Sequence, residues 1–162
     1  MNITTLANGL RVATDALNGV ETAAIGVWVN IGARDETPDV NGVSHMLEHM
    51  AFKGTKQRNA QALVEEVENV GGQINAYTSR ESTAYYLRVL AADVPMAVDI
   101  LGDILLNSTF DPEELERERA VIIQEIGQCA DTPDDIIFDQ FQEVAYPDQS
   151  LGRPILGSHA RV

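Results

Sequence analysis

Near the start of the chain, two short segments of mixed apolar and polar residues lie on either side of a turn signal. Residues 2–6 and 10–14 flank Asn8-Gly9, a pair suited to a tight turn, and predict a hairpin. Residues 22–31 run through Ala, Ile, Val and Trp and predict a long, largely buried strand. Residues 32–41 are polar, carry Pro38 and read as a loop. From Gly42 the period becomes helical: Val43, Met46, Leu47 and Met50 fall at i, i+3, i+4 and i+7, a core stripe on a helix reaching Phe52. Asn59 is placed to cap a second helix, in which Leu63, Val64, Val67 and Val70 share a face and Gly71-Gly72 stops the run. Gln73–Thr78 and Thr83–Leu90 predict paired strands joined by residues 79–82. Asp93 opens a helix striped by Val94, Val98, Leu101 and Leu105. Asp111-Pro112 opens another, with proline at the first helical position and Glu114 completing a capping-box-like pattern.

Hairpin strands with helices inserted between them predict an α+β fold, an antiparallel or mixed sheet covered by helices mainly on one face. The 162 residues suit one domain, spanning 1–162 without repeats or low-complexity tracts. Residues 151–157 read as a loop close to the end of the sequence, so the domain is expected to be incomplete at its C-terminal end.

Composition narrows the function classes. Residues 1–90 hold seven basic and ten acidic side chains, whereas residues 91–162 hold four and fifteen. The overall charge of −14 would repel nucleic acid and attract cationic partners, although carboxylates that merely keep a surface soluble explain it as well. A single cysteine, Cys129, rules out an internal disulfide. With no basic, apolar leader and no run approaching the roughly 20 apolar residues of a membrane span, the expectation is a cytoplasmic protein.

The chemistry lies in His45-Met46-Leu47-Glu48-His49. Two histidines four apart share one face of a helix, about one turn from each other, and can converge on one metal ion. Glu48 lies beside them and can reach a metal-bound water without being a ligand, the position a general base needs. Further on, Leu115, Glu118, Ile122, Glu125 and Cys129 step by 3, 4, 3, 4 along a helix, so two carboxylates occupy a seam meant for apolar side chains. A buried carboxylate must pair, bind metal or take a proton. Arg117 and Arg119 point off that seam, which favours a metal for one Glu. The other would stand beside the ion or orient substrate. The bland alternative is a shallow seam with solvated acids. Two His and one carboxylate leave a coordination position open, the catalytic arrangement for zinc, and the chemistry expected is amide hydrolysis.

Three segments carry a resemblance to a known family. They are His45-Met46-Leu47-Glu48-His49-Met50-Ala51-Phe52-Lys53-Gly54-Thr55, Gly71-Gly72-Gln73-Ile74-Asn75-Ala76-Tyr77-Thr78, and the run from Glu116 to Ile126. Together they resemble the pitrilysin (insulinase-type) family of inverted zinc peptidases, most of all the branch of the mitochondrial processing peptidase β subunit and its bacterial relatives. The resemblance implies that His45, His49 and Glu125 bind one zinc ion, that Glu48 is the catalytic base and that Glu118 supports the site. It further implies that Asn75 and Ala76 pair with the backbone of an extended substrate, and that Phe52 lines the pocket after the cleaved bond. Asp135 and Asp139 match acids that receive a substrate arginine. Met46 stands where relatives usually carry Phe, an apolar change that leaves the chemistry intact.

The implied protein is a zinc metalloendopeptidase acting on extended, presequence-like basic peptides. Its partners would be a peptide, a second domain and a homo- or heterodimer partner. The resemblance also admits a non-catalytic scaffold or partner subunit, or a metal-binding fragment inactive without its second half. Paralogues of the scaffold type commonly lack parts of the metal motif, which this chain keeps whole.

Overall fold

In the computed structural model, which describes residues 1–161, the predicted strands form close to where the pattern places them. β1 (Asn2–Thr5) and β2 (Arg11–Thr14) pair antiparallel from Asn2↔Thr14 to Thr5↔Arg11. Gly9 supplies the positive φ of +89° that the connection needs. This ribbon is exposed along its length and is not hydrogen-bonded to the main sheet.

The main sheet contains β3 (Thr22–Val29), β4 (Gln73–Thr78) and β5 (Thr83–Leu90), in the order β3-β5-β4. All its pairings are antiparallel among the described residues, so the mixed option falls away. β5 is central and the most buried, which leaves β3 and β4 as edges. The expectation of a largely buried strand over residues 22–31 is corrected on this point. β3 ends at Val29 and is half-buried, with Trp28 63% exposed, because one face of an antiparallel sheet carries no helices here.

The covered face packs against α2 (Ala60–Glu68) and α3 (Val94–Leu106). The Asn59 side chain accepts from the Ala62 amide at 2.8 Å and caps α2 as expected. The core joins Leu63 and Val67 of α2, Tyr85, Leu87 and Val89 of β5, and Ala97, Ile100, Leu101 and Ile104 of α3. The face of α3 differs from the predicted one: Val98 is exposed, and Asp93 makes no capping bond through its side chain. α3 is apolar nearly all round, so its periodicity does not choose a face and the sheet does.

Asp103 shares that buried face. It accepts from Thr55 Oγ1 at 2.7 Å, Arg58 Nη1 at 2.9 Å and Asn107 Nδ2 at 2.9 Å. Burial opposes its charge, yet the hydroxyl, guanidinium and amide donors prevail and hold its carboxyl below the usual carboxylate range. A depressed folded-state value adds stability above the unfolded pKa of about 3.9, which is lost as pH falls through the folded value. Asp103→Ala is therefore expected to cost about 3 kcal/mol at pH 7 in urea unfolding, with a smaller deficit below pH ~3. Equal unfolding midpoints at pH 7 would contradict the assignment.

Two further helices follow on the C-terminal side, α4 (Pro112–Asp131) and α5 (Pro133–Ala145). Asp111 Oδ1 accepts from the amides of Glu113 and Glu114 at 2.9 and 3.2 Å and starts α4. α5 is not among the elements that the sequence pattern was read to predict. Its apolar positions Ile137, Phe141 and Val144 fall at the helical spacing i, i+4 and i+7, beside Phe138, and all four are exposed in the fold. No helix among the described residues is long and apolar enough to cross a membrane.

Candidate metal centre

The histidine helix, α1 (Val43–Met50), begins at Gly42, whose φ is +102°. A Cβ there would meet the Leu156 carbonyl at 2.9 Å, so glycine lets the loop at 154–157 lie against the helix start. Glu36, 7% exposed, accepts from the Gly42 and Ser44 amides at 2.8 Å each and from Asn41 Nδ2 at 2.9 Å. A carboxylate thus satisfies otherwise unpaired amides at the positive end of the helix. Glu36 lies in the loop before α1, which carries no periodic signal, so its role at the helix start emerges only from the fold.

The orientation of α1 also departs from the pattern. Val43 and Leu47, expected in the core, are exposed, while His45, Glu48 and His49 are half-buried between α4 and β4. The chemical face points inward, and the apolar stripe is split, with only Met50 fully buried.

Across from α1, α4 presents Glu118 and Glu125 two turns apart. His45 Nε2 lies 3.7 Å and His49 Nε2 lies 3.6 Å from Glu125 Oε2. One donor atom from each of the three residues lies within 4.8 Å of the others. These separations are too long for hydrogen bonds. They approach the spacing of donors on a tetrahedral ion, about 3.4 Å for arms of about 2.1 Å. The imidazole rings stand edge-on, with centroids 4.6 Å apart. Burial, and secondarily the neighbouring His49, push the His45 pKa down to about 4 against a smaller opposing effect of Glu36, which leaves a neutral ring with a free lone pair. Two imidazole nitrogens and a carboxylate oxygen in that spacing fit a zinc ion.

His49 is held from behind. Its Nδ1 lies 2.9 Å from Glu118 Oε2, and Lys53 Nζ lies 2.6 Å from Glu118 Oε1. Burial opposes the Glu118 charge, but Lys53 and then His49 outweigh it and keep the carboxyl below its ordinary range. Lys53 is the cationic mate of Glu118 that the sequence pattern does not reveal. It lies far from Glu118 along the chain, just past the end of α1, and only the α1–α4 packing joins them.

Glu48 lies outside the three-residue ligand group. Thr78 Oγ1 donates to its Oε2 at 2.5 Å, which leaves Oε1 for other chemistry. Asn75 and Ala76 sit on β4, whose outer edge is unpaired among the described residues, and the Asn75 Oδ1 accepts from the Ala76 amide at 2.8 Å. Phe52 and Asn75 line one cavity of about 630 Å³, together with Val64, Val67, Ile74 and Tyr86. The acids of α5 stand differently. Asp135 is exposed, whereas Asp139 already binds Arg80, with Nη2 to Oδ1 at 2.7 Å.

Comparison with known proteins adds a second line. The family described as Insulinase (Peptidase family M16) matches residues 11–159. The mitochondrial-processing peptidase subunit beta of Blastocladiella emersonii is 50% identical over 155 residues, 96% of this chain and 33% of that protein. The uncharacterized zinc protease YmxG of Bacillus subtilis (strain 168) is 46% identical over 154 residues, 95% of this chain and 38% of that protein. Among solved structures, a protease from Helicobacter pylori superposes with a TM-score of 0.93 at 26% identity, over 99% of this chain and 39% of the other. The chain spans about a third of the length of the curated relatives it matches.

Proposed function

The chain belongs to the insulinase family of peptidases, M16, and from that premise we propose that it carries the zinc-holding part of an endopeptidase site, with His45, His49 and Glu125 as ligands and Glu48 as general base. The observation that supports this most is the convergence of two imidazole nitrogens and one carboxylate oxygen at distances that suit an ion and exclude hydrogen bonds. Zinc held there supplies Lewis acidity towards a peptide carbonyl and a water.

Everything else falls to the chain's own side chains. With Oε2 engaged by Thr78, Glu48 Oε1 takes a proton from the attacking water. The same oxygen returns that proton to the amine nitrogen as the C–N bond breaks. Glu118 holds His49 in place. The free edge of β4 at Asn75 and Ala76 offers main-chain bonds to an extended peptide, and the Asn75 side chain gives up the Ala76 amide as the peptide arrives. The cavity beside Phe52 accepts an apolar side chain following the cleaved bond. An acidic surface of net −14 favours cationic substrates. For a substrate arginine, Asp135 is the open partner, because Asp139 is shared with Arg80. Relatives named as a subunit imply a partner chain for the whole protein.

Zinc titration and a chelation assay test the reading together. One zinc per chain is expected, with peptide hydrolysis by the full-length protein abolished by chelator and restored by zinc. A protein that takes up no zinc at micromolar concentrations, or that hydrolyses peptides equally well in chelator, would overturn it.

A further inference from the structure

We propose that Lys53 is a positioning residue of the metal centre: its ammonium fixes the Glu118 carboxylate, which in turn fixes His49 with Nε2 towards the ion. The inference rests on the reading of His49 as a ligand. Lys53 lies just past α1, where its own amide donates to the Met50 carbonyl at 3.2 Å and ties its backbone to the helix end. From there Nζ reaches Glu118 Oε1 at 2.6 Å, and Glu118 Oε2 meets His49 Nδ1 at 2.9 Å. Glu118 is 6% exposed, so water competes little for either oxygen.

Among the described residues no other cation reaches Glu118. Arg117 is drawn to Glu113 and Glu114, and Arg119 to Glu116, all on the outer side of α4. A carboxylate can turn about its last bond. With one oxygen clamped by Lys53, the direction of the other is set, and it accepts the Nδ1 proton of His49. That hydrogen bond selects the tautomer whose Nε2 lone pair faces Glu125. Lys53 therefore acts on the metal through two intervening residues.

A purely structural role would be to neutralise a buried acid, and it predicts a different result. Lys53→Met and Lys53→Arg should be compared with the unaltered chain in two measurements, the His49 ring tautomer by ¹⁵N NMR of the metal-free protein and zinc affinity by competition with a chromophoric chelator. Only three histidines need assignment. The unaltered chain should show His49 as one tautomer, protonated at Nδ1. Lys53→Met should show both tautomers and bind zinc about tenfold more weakly, whereas Lys53→Arg should stay within about threefold. Should the Met variant fail to fold, Lys53→Gln is read by the same two measurements. A variant without the ammonium that keeps the single tautomer and full zinc affinity overturns the proposal, even if its melting temperature falls. If the unaltered chain itself takes up no zinc, the metal reading fails and this inference with it.

Discussion

Replacing Glu48 with glutamine is expected to reduce peptide hydrolysis by the full-length protein by about 10²–10⁴-fold while zinc affinity stays within a few-fold of the original. Glutamine keeps the volume of the side chain and can still engage Thr78, so the packing between α1 and β4 survives. What disappears is an oxygen able to accept and return a proton. Because Glu48 is not among the three converging residues, the ion should remain bound. Steady-state kinetics should place the loss in kcat rather than KM, as expected when an interaction made only in the transition state is removed. Equal turnover by the two proteins would sink the proposed mechanism, and loss of zinc in the glutamine variant would reassign Glu48 as a ligand.

Glu125→Ala should do the reverse, weakening zinc binding at least about 100-fold, beyond the 10–100-fold that follows loss of an outer partner. The two histidines belong to one helix and Glu125 to another, so the metal clips α1 to α4. Zinc bound to the native state at 1,000 times its Kd would stabilise the unaltered protein by about 4 kcal/mol, through linkage alone. The variant should show almost no zinc-dependent rise in melting temperature. At 36% exposure, the Glu125 side chain leaves little cavity when truncated, so the metal-free variant should melt close to the metal-free parent. A zinc-dependent shift equal to that of the parent would remove Glu125 from the ligand set.

Much of this site was legible in the residues alone. The spacing of His45, Glu48 and His49 dictates a shared helical face, because 3.6 residues per turn leaves them no other arrangement. The 3-4 stepping of Glu118 and Glu125 through an apolar seam identified both as acids needing a partner, and in the fold Glu118 is buried and paired while Glu125 faces the histidines. Asn59, Gly71 and Asp111 marked helix ends through interactions spanning a few residues.

Other features depended on contacts between distant segments. Nothing in the order of residues says that Lys53 meets Glu118 or Thr78 meets Glu48, since each pair forms only when separate elements dock. The stripe of α1 misled for the same reason: Val43 and Leu47 are apolar, but α4 and β4 press on the opposite face, and packing follows the larger contact. α3 had too many apolar positions for its pattern to choose among, and the apolar positions of α5 stay exposed among the described residues. Local periodicity and covalent spacing therefore determined which residues could act together. Tertiary packing alone decided which face of each helix turned inward, and so which side chains from far along the chain came to hold the histidines and the base in place.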